Sequence, residues 1–294
     1  MSESSSCPSA SNCPSGGNCA SCAQNPEDLR IRAVLGGIAE KYVVMSGKGG
    51  VGKSTVAVNL ALALAQGGRK VGLLDIDLHG PSVPRMLHLE GARMGATEDG
   101  RFVPVEAGGL KVVSVGFVLG SPDSAVILRG PMKIGLIRQF LSQAEWGKLD
   151  ALVVDVPPGT GDEPLTICQL LADAGGGKAV IVTTPQEVAA EDVSKSVVFC
   201  NKLSFPVAGL VENMSGFVCP HCGEVTEVFS SGAGERLAAE YGIPFLGKIP
   251  LDPAVCRGGD AGEPFMAMFD DNPPARAFRD VVARLEGGGA SVQE

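Results

Sequence analysis

Residues 47–55 read Gly-Lys-Gly-Gly-Val-Gly-Lys-Ser-Thr, and this stretch decides the fold. It has the four residues that a phosphate loop requires at their positions: Gly47, Gly52, Lys53 and Ser54. A short apolar, β-branched run at 42–45 precedes it, and residues 56–65 have the apolar pattern of a buried helix. A strand, a glycine-rich loop and a helix in this order predict a site for a nucleoside triphosphate.

The residue types of the loop fit the chemistry of phosphate binding. Glycines let successive backbone N–H groups point at phosphate oxygens, and the helix N-terminus adds its positive end. We expect Lys53 to reach the β- and γ-phosphates and the Ser54 hydroxyl to bind Mg²⁺. The predicted nucleotide-binding residues of the loop are Gly47, Lys48, Gly49, Gly50, Val51, Gly52, Lys53, Ser54 and Thr55. Lys48 adds a second cation to the loop, which an ordinary phosphate loop does not need, and this indicates a functional role. The alternative interpretation is that Lys48 is a solvated surface lysine.

Composition narrows the class of protein. The chain has 294 residues, of which 45% are hydrophobic, and this is enough for a large core. With 33 acidic and 24 basic residues the net charge is −9, which works against sequence-independent binding to nucleic acid or to an anionic membrane. The sequence shows neither a bilayer-spanning apolar stretch nor a secretion signal at its start. We therefore expect a cytoplasmic protein with no nucleic-acid or membrane partner.

Apolar runs alternate with helical patterns along most of the chain. The runs that predict buried parallel strands are 70–75, 151–155, 179–183 and 207–211. The helix candidates are 133–146, 164–172, 188–203 and 233–241. Residues 102–116 predict a hairpin at the sheet edge. The pattern is typical of an α/β domain over 27–286 with a doubly wound, mostly parallel sheet, ligands at the carboxyl ends of its strands, and a frayed tail at 287–294.

The first 26 residues differ from the rest of the chain. Residues 1–26 are rich in Ser, Pro, Asn, Gly and Cys and cannot build a core, so they predict a disordered tail. Four of the nine cysteines fall there: Cys7, Cys13, Cys19 and Cys22. Four thiolates can bind a [4Fe-4S] cluster or a Zn²⁺ ion. The alternative is a tail whose cysteines bind nothing.

Three aspartates follow predicted strands. Asp75 and Asp77 come at the end of one strand and Asp155 ends another. Carboxylates at these strand ends face the phosphate loop, where Mg²⁺ needs oxygen ligands, mostly through water. One of the three must also orient the attacking water.

A second cysteine pair, Cys219 and Cys222, supplies half of a four-sulfur site. The same pair on a second subunit would place one cluster on a two-fold axis. Two alternatives are a zinc site completed within the chain by Cys19 and Cys22, and a redox dithiol. The remaining cysteines are predicted to be packing residues: Cys168, Cys200 and Cys256.

The Lys-Gly-Gly-Val-Gly-Lys-Ser-Thr segment at 48–55 resembles the deviant phosphate loop of the MinD, ParA and nitrogenase iron-protein group. In that group the early lysine crosses a dimer interface and contacts the nucleotide of the partner subunit. The resemblance implies an ATP-dependent homodimer in which Lys48 has this role.

Four further stretches resemble the Mrp/ApbC family of iron–sulfur carrier ATPases. They are DIDLHGPSVP at 75–84, DVPPGTGD at 155–162, TTPQE at 183–187 and ENMSGFVCPHCG at 212–223. The resemblance implies that Asp77 positions water, that Asp75 and Asp155 hold the Mg²⁺ shell, and that 155–162 is a switch sensing the γ-phosphate.

The same family resemblance also has implications for adenine binding and for the second cysteine pair. It implies that Asn213 contacts adenine, and that Cys219 and Cys222 hold a transferable [4Fe-4S] cluster for delivery to apo iron–sulfur proteins. The tail departs from the family: long members space their four cysteines by thirteen, two and five residues, whereas here the spacings are five, five and two. A rival interpretation is a positioning or partition ATPase of the MinD or ParA kind with a structural zinc site.

Overall fold

The computed structural model describes residues 25–78, 80–118, 130–186, 189–219, 221–268 and 272–287. The four cysteines predicted to lie in the amino-terminal tail, and residues 288–294, lie outside the described residues. In the part of the chain that is described, no helix has the length and apolarity needed to cross a bilayer.

The elements alternate between strands and helices. The strands are β1 (Glu40–Met45), β2 (Val71–Asp75), β3 (Gly95–Ala96), β4 (Phe102–Val103), β5 (Val105–Ala107), β6 (Leu110–Ser114), β7 (Ala151–Asp155), β8 (Gly177–Thr183), β9 (Val207–Val218), β10 (Val225–Thr226) and β11 (Phe245–Leu251). The helices are α1 (Pro26–Gly36), α2 (Lys53–Gln66), α3 (Val83–Met86), α4 (Gly130–Gln143), α5 (Asp162–Ala174), α6 (Ala190–Lys202), α7 (Ala233–Tyr241), α8 (Pro253–Ala261), α9 (Phe265–Met268) and α10 (Pro273–Glu286). A 3-10 turn follows β6 at Val115–Phe117.

One large sheet organises the domain. Its strand order is β10-β9-β8-β1-β7-β2-β6-β5, and β11 also pairs with β9. All pairs are parallel except β9 with β10 and β5 with β6. Each face is covered by an apolar cluster, one built with α2, α9 and α10 and the other with α1, α4, α5, α6 and α7. Burial on both faces explains why the central strands are continuously apolar. The predicted doubly wound fold is confirmed.

The structure extends the sequence prediction in several places. The four predicted parallel strands and the edge hairpin are present. β9 does not end at residue 211 but continues to Val218, so Asn213 lies within the strand rather than after it. β11 was not predicted because Gly247, Lys248 and Pro250 interrupt its apolar pattern. Helix α1 was also missed, although Asn25 caps it and Pro26 begins it.

The central position of β7 in the sheet allows a direct test of which residues form the core. Leu152 lies on β7, between β1 and β2, and is fully buried. We expect Leu152→Ala to lower the free energy of unfolding by about 2–5 kcal/mol, because it removes buried methyl groups and leaves a cavity. Leu29→Ala on α1, where the side chain is 46% exposed, should cost less than about 1 kcal/mol. Urea denaturation measures both, and equal losses would contradict the assigned core.

Candidate nucleotide site and cysteine loop

The phosphate loop joins the end of β1 to the start of α2. Gly50 and Gly52 have φ angles of +80° and +78°, a left-handed region that glycine adopts without a steric penalty. Gly52 is also the N-cap of α2 and provides no side-chain cap. The N–H groups of the first helical turn are therefore left for a ligand at the loop, as an anion site requires.

The loop is held between α6 and β9. A Cβ at Gly47 would lie 2.3 Å from the backbone oxygen of Asp192 on α6, and a Cβ at Gly52 would lie 2.3 Å from Nδ2 of Asn213 on β9. The Asn213 amide donates a hydrogen bond of 2.9 Å to the carbonyl oxygen of Val51. The two glycines are thus required by close approach, and Asn213 contacts the loop directly.

Lys53 is buried with its charge compensated by carboxylates. Its Nζ lies 2.5 Å from Oδ1 of Asp155 and 3.4 Å from Oδ2 of Asp77, and it donates to the Ser54 hydroxyl at 3.2 Å. The Lys53 side chain is only 6% exposed. The structure thus brings together the lysine, serine and two of the aspartates that the sequence places in the site. A buried ammonium needs such partners because its desolvation is costly.

Asp75 completes the carboxylate cluster. Its Oδ2 accepts a hydrogen bond of 2.7 Å from the Ser114 hydroxyl, and its Oδ1 accepts one of 3.0 Å from the backbone N–H of Asp77. Burial, and then the nearby charge of Asp155, raise the pKa of Asp75 to about 8. Sequence reasoning missed Ser114; its signal would have been a polar residue ending a buried strand.

The cluster has chemistry suited to a divalent cation. Burial raises the pKa of Asp155 although Lys53 acts in the opposite direction. Among the described residues, Oδ2 of Asp155 is a buried oxygen with no hydrogen-bond partner. An unpaired carboxylate oxygen and an excess of acidic groups over the one ammonium fit Mg²⁺, which prefers oxygen ligands. The candidate donors are Ser54, Asp75 and Asp155.

Lys48 lies beside α6. Its Nζ is 3.8 Å from Oδ2 of Asp192, and its carbonyl oxygen accepts a hydrogen bond of 2.8 Å from the Ser46 hydroxyl. Asp192 also lies 3.8 Å from Nζ of Lys195. Asp192 was not identified from the sequence, because only the packing of α6 against the loop brings it there.

Cys219 and Cys222 lie in the turn that follows β9. Cys219 is half-buried and Cys222 is exposed. The turn is closed by two backbone hydrogen bonds of 2.9 Å, from Cys219 to Glu224 and from Gly223 to Cys219. Backbone N–H groups of Cys222, and then of His221, lower the pKa of the Cys219 thiol. Hydrogen bonds that favour the thiolate suit a metal ligand, because the thiolate is the form that binds metal.

The single cysteines divide into two kinds. Cys168 and Cys200 are fully buried, and burial raises the pKa of their thiols to about 12 and about 11. They are packing residues, as predicted. The prediction for Cys256 is wrong: this residue is exposed, because α8 has no buried residue.

The parallel sheet, the glycine loop at the start of α2 and the carboxylates at neighbouring strand ends define a P-loop nucleotide-binding protein. The sequence model of ParA, described as NUBPL iron-transfer P-loop NTPase, matches residues 37–286, and the chain belongs to this family. The resemblance drawn from the sequence motifs is therefore confirmed.

Individual relatives agree with the family. The chain is 48% identical over 254 residues to the cytosolic Fe-S cluster assembly factor NUBP2 of Bos taurus, covering 85% of this chain and 93% of that protein. It is 48% identical over 259 residues to the iron-sulfur cluster carrier protein of Methanocaldococcus jannaschii, covering 88% of each.

Solved structures have the same fold. A nucleotide-binding protein of Archaeoglobus fulgidus in complex with ADP superposes with a TM-score of 0.71 at 40% identity, covering 84% of this chain and 98% of that one. The cell division ATPase MinD of Pyrococcus furiosus has a TM-score of 0.62 at 22% identity, covering 85% and 99%, which indicates the shared fold alone.

The raised pKa of Asp75 predicts a pH dependence of stability. Between about pH 4 and pH 8 the unfolded chain releases the Asp75 proton while the folded chain retains it, so the free energy of unfolding falls as pH rises. Asp75→Asn cannot ionise. We expect the wild type to lose at least about 1.4 kcal/mol relative to this variant from pH 5 to pH 8.5, the equivalent of one pKa unit.

The measurement is urea denaturation of nucleotide-free protein in a chelator. Asp99→Asn is the control, because hydrogen bonds from Thr97 and then Arg101 lower the pKa of this exposed aspartate. Its stability curve should run parallel to that of the wild type over this pH range. A parallel curve for Asp75→Asn would contradict the burial of a protonated Asp75.

Proposed function

We propose that this chain is an ATP-hydrolysing iron–sulfur cluster carrier that acts as a homodimer in the cytoplasm. It holds a [4Fe-4S] cluster as cargo between the Cys219 and Cys222 pairs of two subunits and delivers it to apo iron–sulfur proteins. One observation carries the proposal: β9 contacts the phosphate loop through Asn213 and ends one residue before Cys219. One continuous strand therefore joins the nucleotide site to the cysteine pair.

The names of the relatives support the cargo and the compartment. The Bos taurus relative is called a cytosolic Fe-S cluster assembly factor, and the archaeal relative is called an iron-sulfur cluster carrier protein. Both are similar to this chain over more than four-fifths of its length. We extend their chemistry to this chain because its Cys-x-x-Cys turn directs backbone N–H groups at the Cys219 sulfur, which lower the pKa of that thiol.

In the proposed hydrolysis, each residue of the site has one role. The loop N–H groups and Lys53 bind the phosphates, Asn213 contacts adenine, and Asp77 orients the attacking water. Ser54, Asp75 and Asp155 would hold Mg²⁺, which would neutralise developing negative charge on the phosphates. Lys48 leaves Asp192 and contacts the nucleotide of the partner subunit.

The number of thiolates that a cluster requires indicates that the cargo site is shared between two subunits. A [4Fe-4S] cluster takes four thiolates, and the turn after β9 supplies two. A two-fold axis through the cluster brings the equivalent pair from a second subunit. The tight packing of α10 disfavours the rival membrane-bound ATPase, because Phe278 and Val281 on its apolar side are buried in the core.

Anaerobic iron and sulfide analysis tests the proposed cargo. A bridging [4Fe-4S] cluster supplies about two irons per chain, and a separate cluster on the tail would add about four. Cys219→Ala/Cys222→Ala should lose the bridging iron. A deletion of residues 1–24, which retains the cap Asn25, should keep it. Cys256→Ala, which removes an exposed thiol elsewhere, is the control and should keep all iron. Zinc in place of iron would contradict the proposal.

Lys48→Ala tests the contact across the dimer. We expect steady-state ATP hydrolysis to fall about 100-fold or more, because a positioned charge on the transferring phosphate is lost. Lys195→Ala is a matched control: Lys195 also faces Asp192, but its side chain is 64% exposed on α6. Its hydrolysis rate should stay within about twofold of the wild type. Equal rates for wild type and Lys48→Ala would exclude a role of this lysine in hydrolysis.

A further inference from the structure

β9 departs from strand geometry between the nucleotide contact and the cysteine turn. Met214 has a φ angle of +59° and Gly216 has one of +75°. Glycine adopts this region freely, but for a residue such as methionine it is strained and persists only where the surroundings enforce it. The strain at Met214 therefore marks a position that tertiary contacts hold in place.

The pairing of β9 with β11 shifts at the same place. Asn213 is the partner of Ile249, whereas Phe217 is the partner of Leu251. Four steps along β9 thus correspond to two steps along β11, so β9 carries two additional residues here. Bulges of this kind locally bend a strand and redirect side chains, and they are frequent beside functional sites.

The amino-terminal side of this bulge touches the phosphate loop. The Asn213 amide donates to the Val51 carbonyl at 2.9 Å. The Met214 methyl group lies 3.5 Å from the point where a Cβ on Gly52 would be. Asn213 is thus bonded directly to the loop, and the next residue of β9, Met214, places its methyl group beside Gly52.

The centre of the bulge is anchored by a buried carboxylate. Glu212 is fully buried, and both of its carboxylate oxygens accept hydrogen bonds. Oε1 accepts a hydrogen bond of 2.5 Å from the Ser215 hydroxyl, and Oε2 accepts one of 2.6 Å from the Gly234 N–H in the first turn of α7. Ser215 is thus tied to the start of a helix, and none of the proposed nucleotide or cluster roles uses this contact.

The carboxyl-terminal side of the bulge leads to the cysteines. Phe217 and Val218 pair with β10, and the Cys219 N–H donates to Glu224 at 2.9 Å. This hydrogen-bonded hairpin follows the bulge without a flexible loop between them. A change in the bulge therefore reaches the cysteine turn through paired backbone.

We propose that residues 212–216, here called the coupling bulge, transmit the state of the phosphate loop to the Cys219–Cys222 turn, with Met214 and Ser215 as positioning residues. The inference rests on the proposed function, because it supplies the connection between nucleotide and cargo. Met214 receives the displacement of the loop. The hydrogen bond between Ser215 and Glu212 keeps the bulge rigid, so the displacement of the phosphate loop is transmitted along β9. Such coupling is reciprocal: a ligand on the cysteines must change nucleotide affinity by the same factor.

Site-resolved alkylation of the reduced full chain tests the coupling bulge. Iodoacetamide labelling, read by peptide mass spectrometry, is followed with and without Mg²⁺ and a non-hydrolysable ATP analogue. In the wild type we expect the analogue to change the labelling rate of Cys219 or Cys222 about fivefold or more. The rate at exposed Cys256 should not change and serves as an internal reference.

Two variants interrupt the link without removing a proposed ligand. Met214→Gly relieves the left-handed backbone and removes the side chain that lies beside Gly52, and Ser215→Ala deletes the hydroxyl that bonds to Glu212. Both should bind the analogue within about threefold of the wild type and lose the change in labelling. Ser215→Thr retains the hydroxyl and should restore it. Thr97→Ala, which deletes a hydroxyl bond of 2.6 Å to Asp99 in the turn between β3 and β4, is the matched control and should respond like the wild type.

The outcomes separate this proposal from the proposed function. Variants that bind the analogue and keep the full labelling response would overturn the coupling bulge. A wild type that binds the analogue without any labelling response would also overturn it, even if iron analysis and hydrolysis support the carrier. If Ser215→Ala does not fold, Met214→Gly decides the question alone, since glycine favours the backbone already present.

Discussion

The nucleotide site depends on the buried ammonium of Lys53, which is surrounded by buried carboxylates. Asp75 and Asp155 are register partners on the adjacent parallel strands β2 and β7, so the sheet itself forces two carboxyl groups to face each other out of water. Lys53 compensates part of this charge at 2.5 Å from Asp155. Attraction and repulsion are both strong where the effective dielectric constant is low. The cluster therefore holds more acidic groups than Lys53 can compensate, an electrostatic setting that suits a divalent cation.

Contacts with neighbouring elements fix the shape of the phosphate loop. A loop that presents N–H groups to a ligand cannot use them to stabilise itself, so its shape must come from its neighbours. Here Gly47 abuts α6 and Gly52 abuts Asn213 of β9, and any side chain at either position would clash. The Gly159 N–H adds a hydrogen bond of 2.8 Å to the Ser46 carbonyl, which joins the predicted switch segment to the loop. Binding energy can then favour one arrangement of these contacts over another, rather than order a loose chain.

Sequence reasoning found most of the sheet and the acidic cluster, because both follow from local pattern. Continuously apolar runs that end in aspartate place the strands, and parallel topology then brings the strand ends together. Ser114 and Asp192 were not foreseen, since strand register brings the first to Asp75 from 39 residues away and helix packing brings the second to Lys48. The extension of β9 was missed for a related reason. Tertiary contacts, and no residue propensity, hold Met214 in a left-handed conformation.

The even length of the insertion in β9 has a geometric consequence for the cysteine turn. One additional residue would reverse the alternation of side chains, and every following residue would face the opposite side of the sheet. Two additional residues preserve it, because Asn213 and Phe217 pair with Ile249 and Leu251, which share a face of β11. Phe217 therefore keeps the side on which Asn213 meets the phosphate loop. β9 ends at Val218, the residue after Phe217, and Cys219 then begins the turn. The insertion can thus bend β9 while Asn213 and Phe217, on either side of it, stay on one face of the sheet.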